Sequence, residues 1–141
     1  MSEKILEESV RKYLSKKGWN IEAVGKNAGE HGCDIIAFHS RLRKRIFIEA
    51  KSENPNSTYI VQDRHNKFPA LIGQIISRMD IEGNRPNRAR IYSIAVPKTW
   101  EDMICRKVQG MKFSWRWMRL KVFLIDAEGN VEEKSYTHFL K

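Results

Sequence analysis

The chain has 141 residues, 41% of them hydrophobic, which suits one compact α/β domain (residues 1–141) with a single core. Its 26 Lys+Arg against 17 Asp+Glu leave a formal net charge of +9, which favours a polyanionic partner: nucleic acid first, an anionic membrane second. No apolar run approaches a membrane span, no signal peptide is visible, and Cys33 and Cys105 form no Cys-x-x-Cys, so a cytoplasmic protein with reduced thiols is expected.

Ser2 to Lys17 reads as a first helix. Ser2 is its cap, Leu6, Val10, Tyr13 and Leu14 recur at helical spacing, and Gly18 ends it. Glu7 borders the apolar stripe. It is either an exposed rim residue paired with Arg11 or a carboxylate turned toward a site. Trp19 to Val24 reads as a short strand, and Gly25 to Gly32 as a glycine-rich connection without the spacing of a P-loop. His31, Cys33 and His39 are zinc-type residues but lack a second pair at metal spacing.

Ile35 to Phe38 and Ile46 to Ile48 read as two strands of a hairpin, joined by a basic loop near His39 to Lys44. Side chains alternate faces with period two. If Phe38 lies opposite Arg45, then Ile36 meets Phe47 and Asp34 meets Glu49, with Lys51 beside them. Two carboxylates at one end of a hairpin invite a hard cation such as Mg²⁺. A neighbouring ammonium can position water or offset developing negative charge. Such a set on a basic protein points to phosphodiester chemistry. On these residues alone, a loop-capping Asp34 and a solvated Glu49–Lys51 pair is the commoner arrangement. Glu-x-Lys also recurs at Glu132 to Lys134.

Ser52 to Lys67 reads as a polar loop. Phe68 to Asp80 reads as a helix with a stripe of Phe68, Leu71, Ile72, Ile75, Ile76 and Met79, Gln74 beside that stripe and Arg78 at its i+4 position. Gly83 to Pro86 breaks the chain, Ile91 to Val96 is a strand, and Thr99 caps a helix from Trp100 to about Gly110. Met111 to Lys121 interleaves Phe113, Trp115 and Trp117 with Arg116 and Arg119. Such residues stack bases or pack with snorkelling cations, and the apolar strand that follows favours packing. Val122 to Ile125 and Val131 to Tyr136 flank a turn at Glu128-Gly129-Asn130 as a terminal hairpin.

The order helix, three strands, helix, strand, helix, strand carries Gly32-x-Asp34-Ile35 and then Ile46-Phe47-Ile48-Glu49-Ala50-Lys51. In these features the chain resembles the PD-(D/E)xK nuclease superfamily, and within it the archaeal Holliday-junction resolvases and Mrr-type restriction endonucleases. The resemblance covers roughly Ile5 to Val96. It implies a restriction-endonuclease-like α/β fold, a central mixed sheet flanked by helices. It also implies a Mg²⁺-dependent DNA endonuclease, with Mn²⁺ as a substitute. Asp34, Glu49 and the Ala50 carbonyl take the metal, Lys51 orients the attacking water, Glu7 is the acidic residue of the first helix, and Gln74 is the glutamine of the following one. Cys33 departs from the motif's proline.

On that reading Arg41, Arg43, Lys44, Arg45, Lys67 and Arg78 contact the DNA backbone, and a homodimer serves two strands. Two rivals stand beside it. One is a non-catalytic nucleic-acid-binding module on the same fold. The other is an interaction protein using Trp115, Trp117 and Met118. A membrane-surface role is weakest, because no basic amphipathic helix is evident.

Overall fold

The computed structural model describes residues 1–22, 34–53, 56–81 and 89–141. The expected glycine-rich connection, His31, Cys33 and the Gly83 to Pro86 break lie outside them.

Helix α1 spans Glu3–Lys16. The Ser2 hydroxyl accepts from the Ile5 amide at 3.2 Å, as its cap position predicts. The helix closes through paired bonds from Trp19 N–H to Leu14 O (3.0 Å) and from Gly18 N–H to Ser15 O (3.2 Å). This closure needs a left-handed residue, and Gly18 supplies it at φ 91°.

Six strands form one sheet in the order β1-β2-β3-β4-β5-β6: β1 Asn20–Ile21, β2 Ile35–His39, β3 Lys44–Ala50, β4 Arg90–Pro97, β5 Lys121–Ile125 and β6 Val131–Lys134. β3, β4 and β5 run parallel, and the outer pairings are antiparallel. The expected strand from Trp19 to Val24 is only two residues long in what is described. Its neighbour Glu22 is spent on an ion pair with Arg45.

The parallel steps need crossovers. The first is α2 (Ile60–Ile81), and the second holds α3 (Glu101–Gln109) and α4 (Lys112–Met118). The sheet therefore has two apolar faces. One packs Ile35, Ile46, Ile48 and Ala50 under Leu6, Val10 and Leu14 of α1. The other packs Ile36, Phe47, Tyr92 and Ile94 under Phe68, Leu71 and Ile75 of α2, Trp100, Ile104 of α3 and Trp115 of α4.

Two expectations are corrected. Residues 60–67, read as loop, are the first two turns of α2. Their outer positions Val61, Gln62 and Asn66 are exposed, so they carry no apolar stripe to read. Polar contacts hold this end instead, and Pro69 sits inside the helix. Thr99 does not cap α3: residues Lys98–Trp100 form a 3-10 turn, and the Thr99 hydroxyl donates to Glu53 at 3.3 Å. The aromatic–basic segment, to which the sequence assigned no element, forms the helix α4. The terminal hairpin forms as expected, with Gly129 at φ 85°, and a 3-10 turn over Tyr136–Leu140 follows it. Among the described residues no helix is long and apolar enough to cross a membrane.

Candidate active site

The hairpin register is Phe38↔Arg45, Ile36↔Phe47 and Ile35↔Ile48. Continued by one residue, it sets Asp34 across from Glu49, as the alternation predicts. Both positions share the face of Ile36 and Phe47. Asp34 Oδ2 accepts the Ala50 amide at 2.8 Å, which closes the end of the hairpin and fixes the direction of the carboxylate. Glu49 is only 7% exposed. Taking a carboxylate out of water costs several kcal/mol before its partners are counted. The Lys51 amide donates to Ala95 O at 3.1 Å, so the β3–β4 ladder continues to the residue that carries the ammonium.

Helix α1 reaches the same end. Glu3, Glu7 and Arg11 follow one another at four-residue spacing, which aligns them along one side of the helix. Glu3 Oε1 lies 3.9 Å from Lys51 Nζ. Arg11 Nη2 lies 3.5 Å from the Asp34 carbonyl oxygen. The half-buried Glu7 stands between these two contacts. A cleft of about 460 Å³ opens beside Lys51, lined by Glu3, Ser52, Glu53 and Lys67 among others.

Sequence reasoning missed the group that fixes this end. Glu53 is gripped by the Arg64 guanidinium, one arm of which donates to Oε1 at 2.8 Å. It also accepts from Trp100 Nε1 at 3.0 Å and from Thr99 at 3.3 Å. Burial works against its charge, but the hydrogen bonds from Arg64 and Trp100, the Arg64 charge and the Thr99 hydroxyl outweigh that. They hold the carboxyl below its usual value. One side chain thus ties the exit of β3 to α2 and to the turn before α3. The only hint in the sequence was a carboxylate two residues past Lys51. Lys67 adds to this tie: its ammonium donates to Ser52 O at 2.9 Å and pairs with Asp63 at 3.1 Å.

The remaining candidates divide. Gln74 is exposed on α2, and its side chain makes no hydrogen bond among the described residues. The Arg45 guanidinium is taken by Glu22 (2.6 Å) and lies over the Phe47 ring, centroid 5.3 Å away. Arg78 covers the same ring at 5.4 Å. Arg41 and Arg43 are exposed, and Lys44 is half-buried, at the turn of β2 and β3. Six residues separate Lys44 from Ala50, so this basic turn lies roughly 20 Å along β3 from the carboxylates. His39, the zinc-type residue that is described, has both ring nitrogens engaged, one with Lys17 O (3.2 Å) and one with the Leu42 amide (3.2 Å).

Among the described residues no three His, Cys, Asp or Glu side chains gather around one point. The donors at hand are two carboxylates and the Ala50 carbonyl, all hard oxygens. That set fits Mg²⁺ or Mn²⁺, which are commonly held by one or two carboxylates with water completing the shell. It does not fit a soft-metal site.

A family model described as restriction endonuclease matches residues 1–66, from α1 through β3 into α2. No curated protein matches the chain. Among solved structures, an XisH family protein from Nostoc punctiforme is 18% identical, with a TM-score of 0.56 over 93% of this chain and 98% of that one. An fdxN element excision controlling factor protein from Anabaena variabilis is 21% identical, with a TM-score of 0.57 over 94% of this chain and 98% of that one. At these identities the likeness concerns the fold alone. The fold is restriction-endonuclease-like, the resemblance read in the sequence is borne out, and residues 1–66 are similar to a restriction endonuclease.

Proposed function

We propose that this protein is a metal-dependent DNA endonuclease that hydrolyses phosphodiester bonds. The observation that carries the reading is the β2–β3 register, which sets Asp34 across from a buried Glu49 with Lys51 two residues on. Asp34, Glu49 and the Ala50 carbonyl would hold Mg²⁺ or Mn²⁺, with Glu7 on the neighbouring helix as a further oxygen donor. Such a cation, when bound, supplies Lewis acidity toward the phosphate.

The chain's own groups do the rest. The Ala50 amide keeps the Asp34 carboxylate in one orientation. The Lys51 ammonium, kept near by Glu3, orients water for in-line attack on phosphorus and offsets the charge that gathers there. The water oxygen gives up a proton to solvent as it bonds to phosphorus, the bond from phosphorus to the leaving sugar oxygen breaks, and that oxygen takes a proton from solvent. Gln74 sits on the following helix as a candidate contact to the substrate. The excess of Lys and Arg, with Arg41, Arg43 and Lys44 at the exposed turn, supplies the backbone grip, and two copies would address two strands.

The test is nicking of a supercoiled plasmid and of a four-way junction in Mg²⁺, Mn²⁺ or EDTA. Cation-dependent cutting by wild type that disappears in Glu49→Ala and falls about 10²-fold in Lys51→Ala supports the reading. Salt-sensitive DNA binding by folded protein with no cutting in either cation would instead make the chain a binding module on a nuclease fold.

A further inference from the structure

Helix α4 resolves the ambiguity of the aromatic–basic segment by splitting it. Trp115 and Met118 are buried. The Trp115 indole N–H donates to Tyr136 O at 2.8 Å, and its ring meets Phe139 edge-on at 5.8 Å. The helix is therefore pinned from below. Phe113 and Trp117, four residues apart, lie on the opposite side and are 83% and 49% exposed. Exposed rings side by side on an anchored helix mark contact surfaces.

Charge says what covers them. Lys112 to Arg119 reads K-F-S-W-R-W-M-R, with three cations and no acid. Among the described residues Lys112, Arg116 and Arg119 take part in no ion pair. Two copies meeting through this face would oppose like charges. A polyanion that also carries flat apolar rings satisfies both features, which describes a nucleic acid with unpaired bases. Arg119 adds a second observation. It holds a left-handed backbone at φ 50°, a place where glycine is cheaper, and it is exposed at the C-terminal end of the same helix.

We infer that the outer face of α4 is a second nucleic-acid contact, on which Phe113 and Trp117 stack unpaired bases while Lys112, Arg116 and Arg119 hold the phosphates. α4 leads into β5, whose first residue Lys121 lies level with Ser93 of β4 and Ile48 of β3, so this face sits two strands across the sheet from the carboxylate end. The proposal goes beyond the nuclease reading and does not require cleavage.

The protein carries its own reporter. Of the four tryptophans, Trp19, Trp100 and Trp115 are buried and Trp117 is exposed. Full-length chain is titrated in EDTA with a thymidine oligonucleotide, a uridine oligonucleotide and a blunt duplex of equal length, reading tryptophan emission. Single strands of either sugar are expected to quench it. Trp117→Phe removes the quenching and keeps affinity within about threefold, because a ring remains. Phe113→Ala with Trp117→Ala weakens single-strand binding at least ~10-fold and duplex binding much less.

Absence of quenching in wild type, or equal losses on single strand and duplex, would overturn the inference. So would a double variant that only converts a dimer to monomer in sedimentation, which would make a second copy the occupant. Binding is read without a cation, so failure here and failure of the nicking assay are separate results.

Discussion

The two ends of β3 treat charge in opposite ways. At the carboxylate end Glu49 is buried, Asp34 is fixed by the Ala50 amide, and Glu53 is held by Arg64, Trp100 and Thr99. At the turn end Arg41 and Arg43 stand in solvent, and Arg43 sits in a left-handed conformation at φ 53°. The first end spends packing and hydrogen bonds to fix a few groups within narrow limits, as chemistry on a substrate demands. The second leaves cations loose and exposed, as long-range attraction of a polyanion demands. Net charge alone, at +9, shows neither fact. Position along one strand does.

The contrast breaks most visibly by removing a carboxylate from the fixed end. Asp34→Ala and Glu49→Ala are expected to abolish cutting, with the protein still folded by circular dichroism and still binding DNA. A variant that cuts normally would move the chemistry elsewhere.

Next comes Glu53→Gln. It keeps the shape but removes the charge that faces Arg64, and it should lower stability by about 2 kcal/mol in urea melts at pH 7. The pH dependence follows from the sign of the shift. The folded-state pKa of Glu53 lies below its ordinary 4.5. Its contribution is therefore complete above about that pH and is lost as pH falls through the lower, folded value. Wild type should lose its advantage over Glu53→Gln on acidification below pH 4.5, and a gap that stays constant would remove Glu53 from the account.

The smallest effects belong to the turn. Arg43→Gly relieves the left-handed strain and should raise stability by about 1 kcal/mol. Together with Arg41→Ala it should reduce the salt dependence of DNA binding by a slope of about 2. Stability and binding thus move in opposite directions. A glycine that leaves the salt slope unchanged would show the turn to be idle.

Local patterns were legible in the chain, and long-range polar ties were not. The Ser2 cap, the apolar face of α1 and the Asp34–Glu49 register follow from spacing, because alternation and helical period act within a few residues. The N-terminal half of α2 was hidden, because Glu53–Arg64 and Lys67–Ser52 hold it in place of an apolar stripe. Arg45 reads in the sequence as a phosphate contact, and the ion pair that Glu22 makes with it, 23 residues away, was not legible there. In α4 the pattern showed aromatics among cations, but only the packed helix separates Trp115, which faces the core, from Phe113 and Trp117, which face solvent. The proposal of Glu7 as an oxygen donor rests on its neighbours, since Glu3 and Arg11 contact Lys51 and Asp34 from one side of the helix.

The reading turns on whether the carboxylate end holds a hard cation, and Mn²⁺ binding followed by electron paramagnetic resonance tests that most directly. Wild type is expected to bind Mn²⁺ at one site per chain, displaceable by Mg²⁺, with binding lost in Glu49→Gln and in Asp34→Asn and kept in Glu53→Gln. Equal Mn²⁺ binding by wild type and by Glu49→Gln would contradict the account and place the cation, and the chemistry that depends on it, away from the end of β3.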